Sequence, residues 1–233
     1  MQDQQATRIL AIRHGETAWN VDARIQGQLD VALNQTGRWQ AHRLALALAD
    51  EGIDAVYASD LRRALETAQA VAAGCGCGIV TDTGLRERGF GEFEGLTFKE
   101  VEQRWPQQSE RWRKRDPHFG PGGGEALLAF YTRCVDSVAR LASAHPGQAI
   151  AVVAHGGVMD CLYRAATRAE LQAPRSWQLG NASINRLLYT PQGFTLVGWS
   201  DTRHLEGVSL DESADGETGP EQSARLLPEG RAT

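Results

Sequence analysis

Short apolar runs alternate along the chain with longer stretches whose apolar residues recur at helical spacing, and this alternation sets the expected fold. Thr7-Arg8-Ile9-Leu10-Ala11-Ile12-Arg13 is apolar in its middle and ends in polar residues, the pattern of a buried parallel strand whose C-terminal end opens to solvent. Asn34 or Thr36 can cap a helix that runs through Trp39, Leu44, Leu46 and Leu48 to Asp50, with Gly52 as its stop. A second strand at 54–58 leads to Ser59 or Asp60 as caps of a helix over 61–73, which the glycine-rich stretch 74–78 ends. Residues 125–144 read as a long helix, 149–154 as a strand and 158–166 as a further helix. Two last strands, 184–189 and 194–199, are joined by Thr190-Pro191-Gln192-Gly193. The expected class is α/β, three layers (α/β/α) with a mostly parallel central sheet.

Two stretches break the pattern. Between 95 and 124 short charged helices, such as 98–105, and the loop Gly120-Pro121-Gly122-Gly123-Gly124 predict a small helical insertion over the sheet edge. From 207 to 233 the chain is acidic, rich in Gly, Ser and Pro, and lacks aromatic residues, so it is expected to be a mobile tail behind one domain at 1–206.

Length and charge narrow the partners. A chain of 233 residues with 42% hydrophobic residues can bury a full core as one domain. The formal charge is -5, but residues 206–233 hold seven acids and two arginines, so the preceding body is neutral. A neutral body offers no field for nucleic acid or anionic lipid. Apolar runs fall short of a bilayer span. Four cysteines are too few for a disulfide-stapled domain, and Met1-Gln2-Asp3-Gln4-Gln5 carries no charged-then-apolar leader, so a cytoplasmic location is expected. A homodimer is compatible with the sequence.

Candidate chemistry lies at two strand ends, where loops diverge while strands hold them in place. His14 stands in Arg13-His14-Gly15-Glu16 and His155 in Ala154-His155-Gly156-Gly157, each before a glycine that admits close backbone approach. Either histidine alone reads as a hydrogen-bonded structural residue; the pair does not. Cys75-Gly76-Cys77 lacks zinc spacing, and Gly122-Gly123-Gly124-Glu125 lacks the Lys-Ser/Thr of a P-loop. Arg111-Trp112-Arg113-Lys114-Arg115 reads first as a solvated helix face and second as an anion-gripping lid.

Arg13-His14-Gly15-Glu16-Thr17-Ala18-Trp19-Asn20 resembles the signature of the histidine phosphatase superfamily, which includes the cofactor-dependent phosphoglycerate mutases and many phosphatases. Four specified residues in order should arise by chance in roughly one chain in a thousand of this length. Arg24-Ile25-Gln26-Gly27, the run Ser59 to Ala68, Leu85-Arg86-Glu87, Val153 to Gly157 and Asn181 to Ile184 resemble later motifs in order, so the likeness spans about 7–205. It implies a phosphoglycerate mutase-like fold and a metal-independent enzyme, without cofactor, that acts on a small phosphorylated metabolite.

The resemblance makes His14 the nucleophile, Arg13, Arg63 and His155 the phosphate donors and Glu87 the proton carrier; Asn20, Gln26, Gly27 and Gly156 add binding contacts. The residue types suit the chemistry. A phosphate dianion must be neutralised while an attacking atom is held in line, which guanidinium forks and a neutral imidazole do without a metal. A nearby dianion and partial burial both favour the protonated form of a carboxyl, which can then act first as acid and afterwards as base. Alignment selects Arg63 over Arg62, which is expected to face elsewhere, and Glu16 is expected to orient its loop.

Phosphohistidine can pass its phosphoryl group to water or back to an alcohol. Phe90 stands where mutases carry a tyrosine, and the Phe-Gly-x-x-x-Gly run from Phe90 to Gly95 resembles the phosphatase branch. Hydrolysis of a phosphate monoester is therefore the expected activity, with a mutase as the alternative and a non-catalytic phosphate-binding module behind it.

Overall fold

The computed structural model describes residues 5–206, and the expected acidic tail lies outside them. Six strands form one sheet in the order β3-β2-β4-β1-β5-β6: β1 (Thr7–Arg13), β2 (Ala55–Ala58), β3 (Ile79–Thr81), β4 (Ala149–Ala154), β5 (Ile184–Thr190) and β6 (Gly193–Asp201). The first four pair in parallel, and β5 and β6 add antiparallel strands on the β1 side. The helices are α1 (Ala18–Val21), α2 (Gln35–Leu48), α3 (Arg62–Cys75), α4 (Phe98–Arg104), α5 (Pro106–Arg113), α6 (Leu127–Ser143) and α7 (Gly156–Thr167).

The two-residue repeat of β1 divides the core. Ile9 and Ala11 join Ile150, Val152 and Ala154 under α6 and α7, with Phe130, Val138 and Leu162 buried among them. Leu10 and Ile12 face the other way, with Val56, Ala151 and Val153, onto Leu44 and Leu48 of α2 and Ala64, Ala68 and Val71 of α3. Helices thus cover both faces, which is why β4 is buried at every position. None of the helices among the described residues is long and apolar enough to cross a membrane.

Local differences from expectation have physical causes. Asn34 caps α2 through Gly37 N–H, but neither Ser59 nor Asp60 caps α3, which starts behind Leu61 without a side-chain cap. Ser59 is engaged with His155, and Asp60 holds the Arg86 guanidinium at 2.7 Å. The long helix begins at Leu127, because Glu125 is drawn to Arg133 and to Gly89 N–H, and α7 begins at Gly156, two residues early. The three-residue β3 was not expected.

Residues 95–124 carry α4 and α5, and their Val101 and Phe119 form a separate small core with Ile25 and Phe93, flanked by Trp105 and Trp112. An antiparallel bridge from Arg24 to Thr97 ties this segment to the loop after α1.

Candidate active site

Parallel register assembles the site. Arg13 lies opposite Ala154, and Ala58 opposite Val153, so the residues that follow the three strands emerge together. His14 N–H continues the ladder to Ala154 O at 2.9 Å, and Ser59 N–H does so to Val153 O at 3.0 Å. The rings of His14 and His155 are therefore 5.3 Å apart between centroids, both buried.

The tautomer of His14 follows from its partner. Nδ1 lies 2.7 Å from Gly15 O, and a carbonyl can only accept, so Nδ1 carries the hydrogen and Nε2 keeps a lone pair. Burial, followed by the charges of Arg63 and Arg13, holds the His14 pKa well below its ordinary value, so the ring is neutral near pH 7. His155 is lowered for the same reasons, burial first and then Arg63. Its Nε2 meets Ser59 Oγ at 2.8 Å, and Ser59 Oγ also accepts from Leu61 N–H. Ser59 Oγ can give its hydrogen to Nε2, and His155 then carries its own on Nδ1, which is buried with no protein partner among the described residues.

Two arginines flank these rings. Arg63 is buried and donates through its terminal nitrogens to Leu29 O at 2.8 Å and Gly27 O at 2.7 Å, and Arg13 donates to Leu179 O. In both, Nε is buried and unpartnered among the described residues. Burial pulls Arg63 down to about 10 against the opposing pull of Glu87, so it remains cationic at neutral pH. Buried donors without acceptors are rare in folded proteins, and three of them (Arg13 Nε, Arg63 Nε and His155 Nδ1) gather at this site. An anion placed there would satisfy them.

Glu87 closes the arrangement. Its Oε1 accepts from Arg88 N–H at 2.8 Å and its Oε2 from Gly157 N–H at 3.0 Å, in the first turn of α7. A Cβ at residue 157 would stand 2.1 Å from Glu87 Oε1 and 2.9 Å from Phe130 Cζ, so a side chain there would have to displace the Glu87 carboxyl. Gly156, by contrast, lies against Arg13 Nε at an ordinary 3.4 Å from its Cβ position. The chain also crosses itself closely at Gly15 and Gly37, where a Cβ on residue 37 would meet Glu16 O at 2.0 Å.

Other expected residues take more limited places. Asn20 Oδ1 is committed to Thr17 in a capping box and to Asn181, which leaves only its Nδ2 for a ligand. Gln26 Oε1 is buried without a partner among the described residues, and Gly27 turns its carbonyl toward Arg63. The same loop, expected to add binding contacts, also holds the arginine through the carbonyls of Gly27 and Leu29. Glu16 accepts from Asn34 and stays in loop structure, and Arg62 is exposed on Glu66.

Sequence reading assigned no role to Thr67, whose Oγ accepts from Gly15 N–H at 3.0 Å, or to Asn181, which reaches His14 O and Gly15 O. It also passed over Arg133, which binds Glu125 and the carbonyls of Gly84 and Arg86 just before Glu87. A short polar residue directly after a strand, as Ser59 is, was the available signal for the His155 contact. Among the described residues, no group of His, Cys, Asp and Glu has the arrangement of a metal site.

The sequence profile of the histidine phosphatase superfamily (branch 1) matches residues 9–202. The chain belongs to that superfamily. Phosphoglycerate mutase-like protein 4 of Arabidopsis thaliana is 40% identical, over 92% of this chain and 94% of its own. The metal-independent phosphoserine phosphatase of the same plant is 37% identical, over 94% of this chain and 92% of its own. Among solved structures, mycobacterial glucosyl-3-phosphoglycerate phosphatase bound to VO3 superposes with a TM-score of 0.75 at 33% identity, covering 84% of this chain and 99% of that one. Histidine phosphatases under both phosphatase and mutase-like names thus share its fold.

Proposed function

We propose that this histidine phosphatase hydrolyses a small phosphate monoester through a phosphohistidine on His14, without a metal. The observation that carries the reading is the lone pair on His14 Nε2, fixed by Nδ1–H donation to Gly15 O, beside the unpartnered donors of Arg13, Arg63 and His155. Nε2 attacks phosphorus as the ester P–O bond breaks, while the donors neutralise the phosphoryl oxygens. Glu87 delivers a proton to the departing alkoxide. The resulting carboxylate takes a proton from water, whose oxygen attacks phosphorus, breaks the N–P bond and releases inorganic phosphate and neutral His14. Two backbone N–H groups fix the Glu87 carboxyl, so one group can serve both half-reactions.

Release to water, rather than return to an alcohol, is supported by the open approach to Glu87. A cavity of about 450 Å³ adjoins it, with Phe98 60% exposed at its rim. Phe90, in place of a mutase tyrosine, is packed on Trp112. The small-metabolite substrate and the cytoplasmic setting expected from sequence belong to the same proposal. Rapid quenching with a phosphorus-labelled aryl ester in the presence of a chelator tests it: an acid-labile, base-stable adduct on His14 is expected. Loss of turnover to the chelator, or turnover without an adduct on that ring, would refute the route.

A further inference from the structure

The cavity beside Glu87 has a wall and a charge that hydrolysis itself does not use. Phe90, Phe98, Trp112 and Phe130 line it, and Phe98 stacks on Trp112 at 4.6 Å and 12° between planes. Four arginines share the lining. Arg88 donates to Phe119 O and Glu125 O, Arg115 to Leu171 O and Asp160, and Arg113 to Glu102. Arg175, in the loop between α7 and β5, has no carboxylate or carbonyl partner among the described residues.

An unpaired arginine on a surface loop is ordinary, but this loop is clamped on both sides of it. Arg164, wholly buried on α7, donates to Asp160 at 3.0 Å, to Ala173 O at 2.9 Å and to Glu170 O. Its guanidinium also lies 4.7 Å from the ring of Trp177, which stacks on Tyr163 at 3.9 Å. Ala173 and Trp177 stand two residues before and two after Arg175. A buried guanidinium costs several kcal/mol in desolvation unless all its donors are used, so this network fixes the loop. Arg115 ties Asp160 and the carbonyl of Leu171 into the same network from the insertion side. Asp160 Oδ1 is buried at the cavity with no partner among the described residues.

We propose that the cavity selects phosphate esters of flat or apolar hydroxy acids, with Arg175 binding the carboxylate of the leaving group and the Phe98–Trp112 wall its body. This rests on the phosphatase reading. Arg175 lines the same cavity as Glu87 and Gly157, so its anion sits a spacer away from the transferred phosphoryl group. One unpaired fork matches one monoanion; a second phosphate would place excess negative charge beside Glu87 and Asp160. The cavity, at about 450 Å³, lies in the range that holds a ring-sized ligand and is roomier than a three-carbon acid requires.

A matched pair of substrates isolates the charge: 4-carboxyphenyl phosphate and its neutral isostere 4-carbamoylphenyl phosphate. The wild-type enzyme is expected to favour the carboxylate ester about ten- to a hundredfold in kcat/KM, the effect of one charge-assisted contact. Arg175→Gln should collapse that ratio toward one, mainly through KM. Trp112→Ala should raise KM for both esters together and keep the ratio. A wild-type ratio near one, a ratio that survives Arg175→Gln, or a preference for a phosphate-bearing analogue over the carboxylate overturns the assignment while turnover of either ester leaves the phosphatase reading standing. No turnover of any ester removes both.

Discussion

At the scale of single residues, charge state and hydrogen-bond direction decide what each group can do. His14→Ala removes the nucleophile and should abolish turnover, whereas Glu87→Gln keeps one of the two backbone contacts, since an amide nitrogen cannot accept, and cannot shuttle a proton. The second change is expected to cost about a hundred- to ten-thousandfold in kcat and to alter the pH profile, as steady-state rates across pH would register. His14, His155, Arg13, Arg63 and Glu87 stand out in the sequence because each sits in a short ordered motif, at a strand end or helix start for the first four and behind a 3-10 turn for Glu87. What sequence could not give is which atom of each is free. That Nε2 rather than Nδ1 of His14 bears the lone pair depends on the carbonyl of the next residue, and the direction of His155 depends on a serine 96 positions earlier.

At the scale of elements, the first turn of α7 does two things: it follows His155 directly and its second residue donates to Glu87. Gly157→Ala should therefore push the carboxylate away and lower kcat by about a hundredfold or more, while Gly156→Ala, with room for its Cβ, is expected to be milder. Steady-state kinetics on the two variants, with circular dichroism to show that both fold, separate these outcomes. The helices and long strands were readable from periodicity, since β1 is apolar from Ile9 to Ile12, β4 is apolar throughout and α2 carries an Asn cap. β3 was not, because three residues behind a glycine-rich stretch show no period. The insertion was seen as a break in pattern, but its packing rests on aromatic contacts among residues from Ile25 to Phe119, which no local window contains.

At the scale of the whole molecule, the buried rings couple protonation to stability. Folded His14 and His155 stay neutral at pH values where the unfolded chain, with ordinary histidines near 6.5, takes up protons. Their pKa values are lowered by folding, so acidification below about 6.5 favours the unfolded chain, by up to about 1.4 kcal/mol per pH unit for each ring. The contribution of Asp60 to stability, whose carboxyl is lowered by its hydrogen bonds to Arg86, should fade only at more acid pH. Urea melts at pH 6.5 and 5 should show the wild type losing stability and His14→Asn losing less. Equal slopes would mean that the ring is not buried neutral.

The convergence of His14, Ser59 and His155 at the ends of three neighbouring strands also has a consequence in time. These residues lie far apart along the chain and meet only once β2, β4 and β1 are in register. Closing such long loops is slow, and a slip of register would misplace the two imidazoles. A collapsed intermediate with most of its helices in place would thus be inert, and newly made protein stays silent until its central strands have locked.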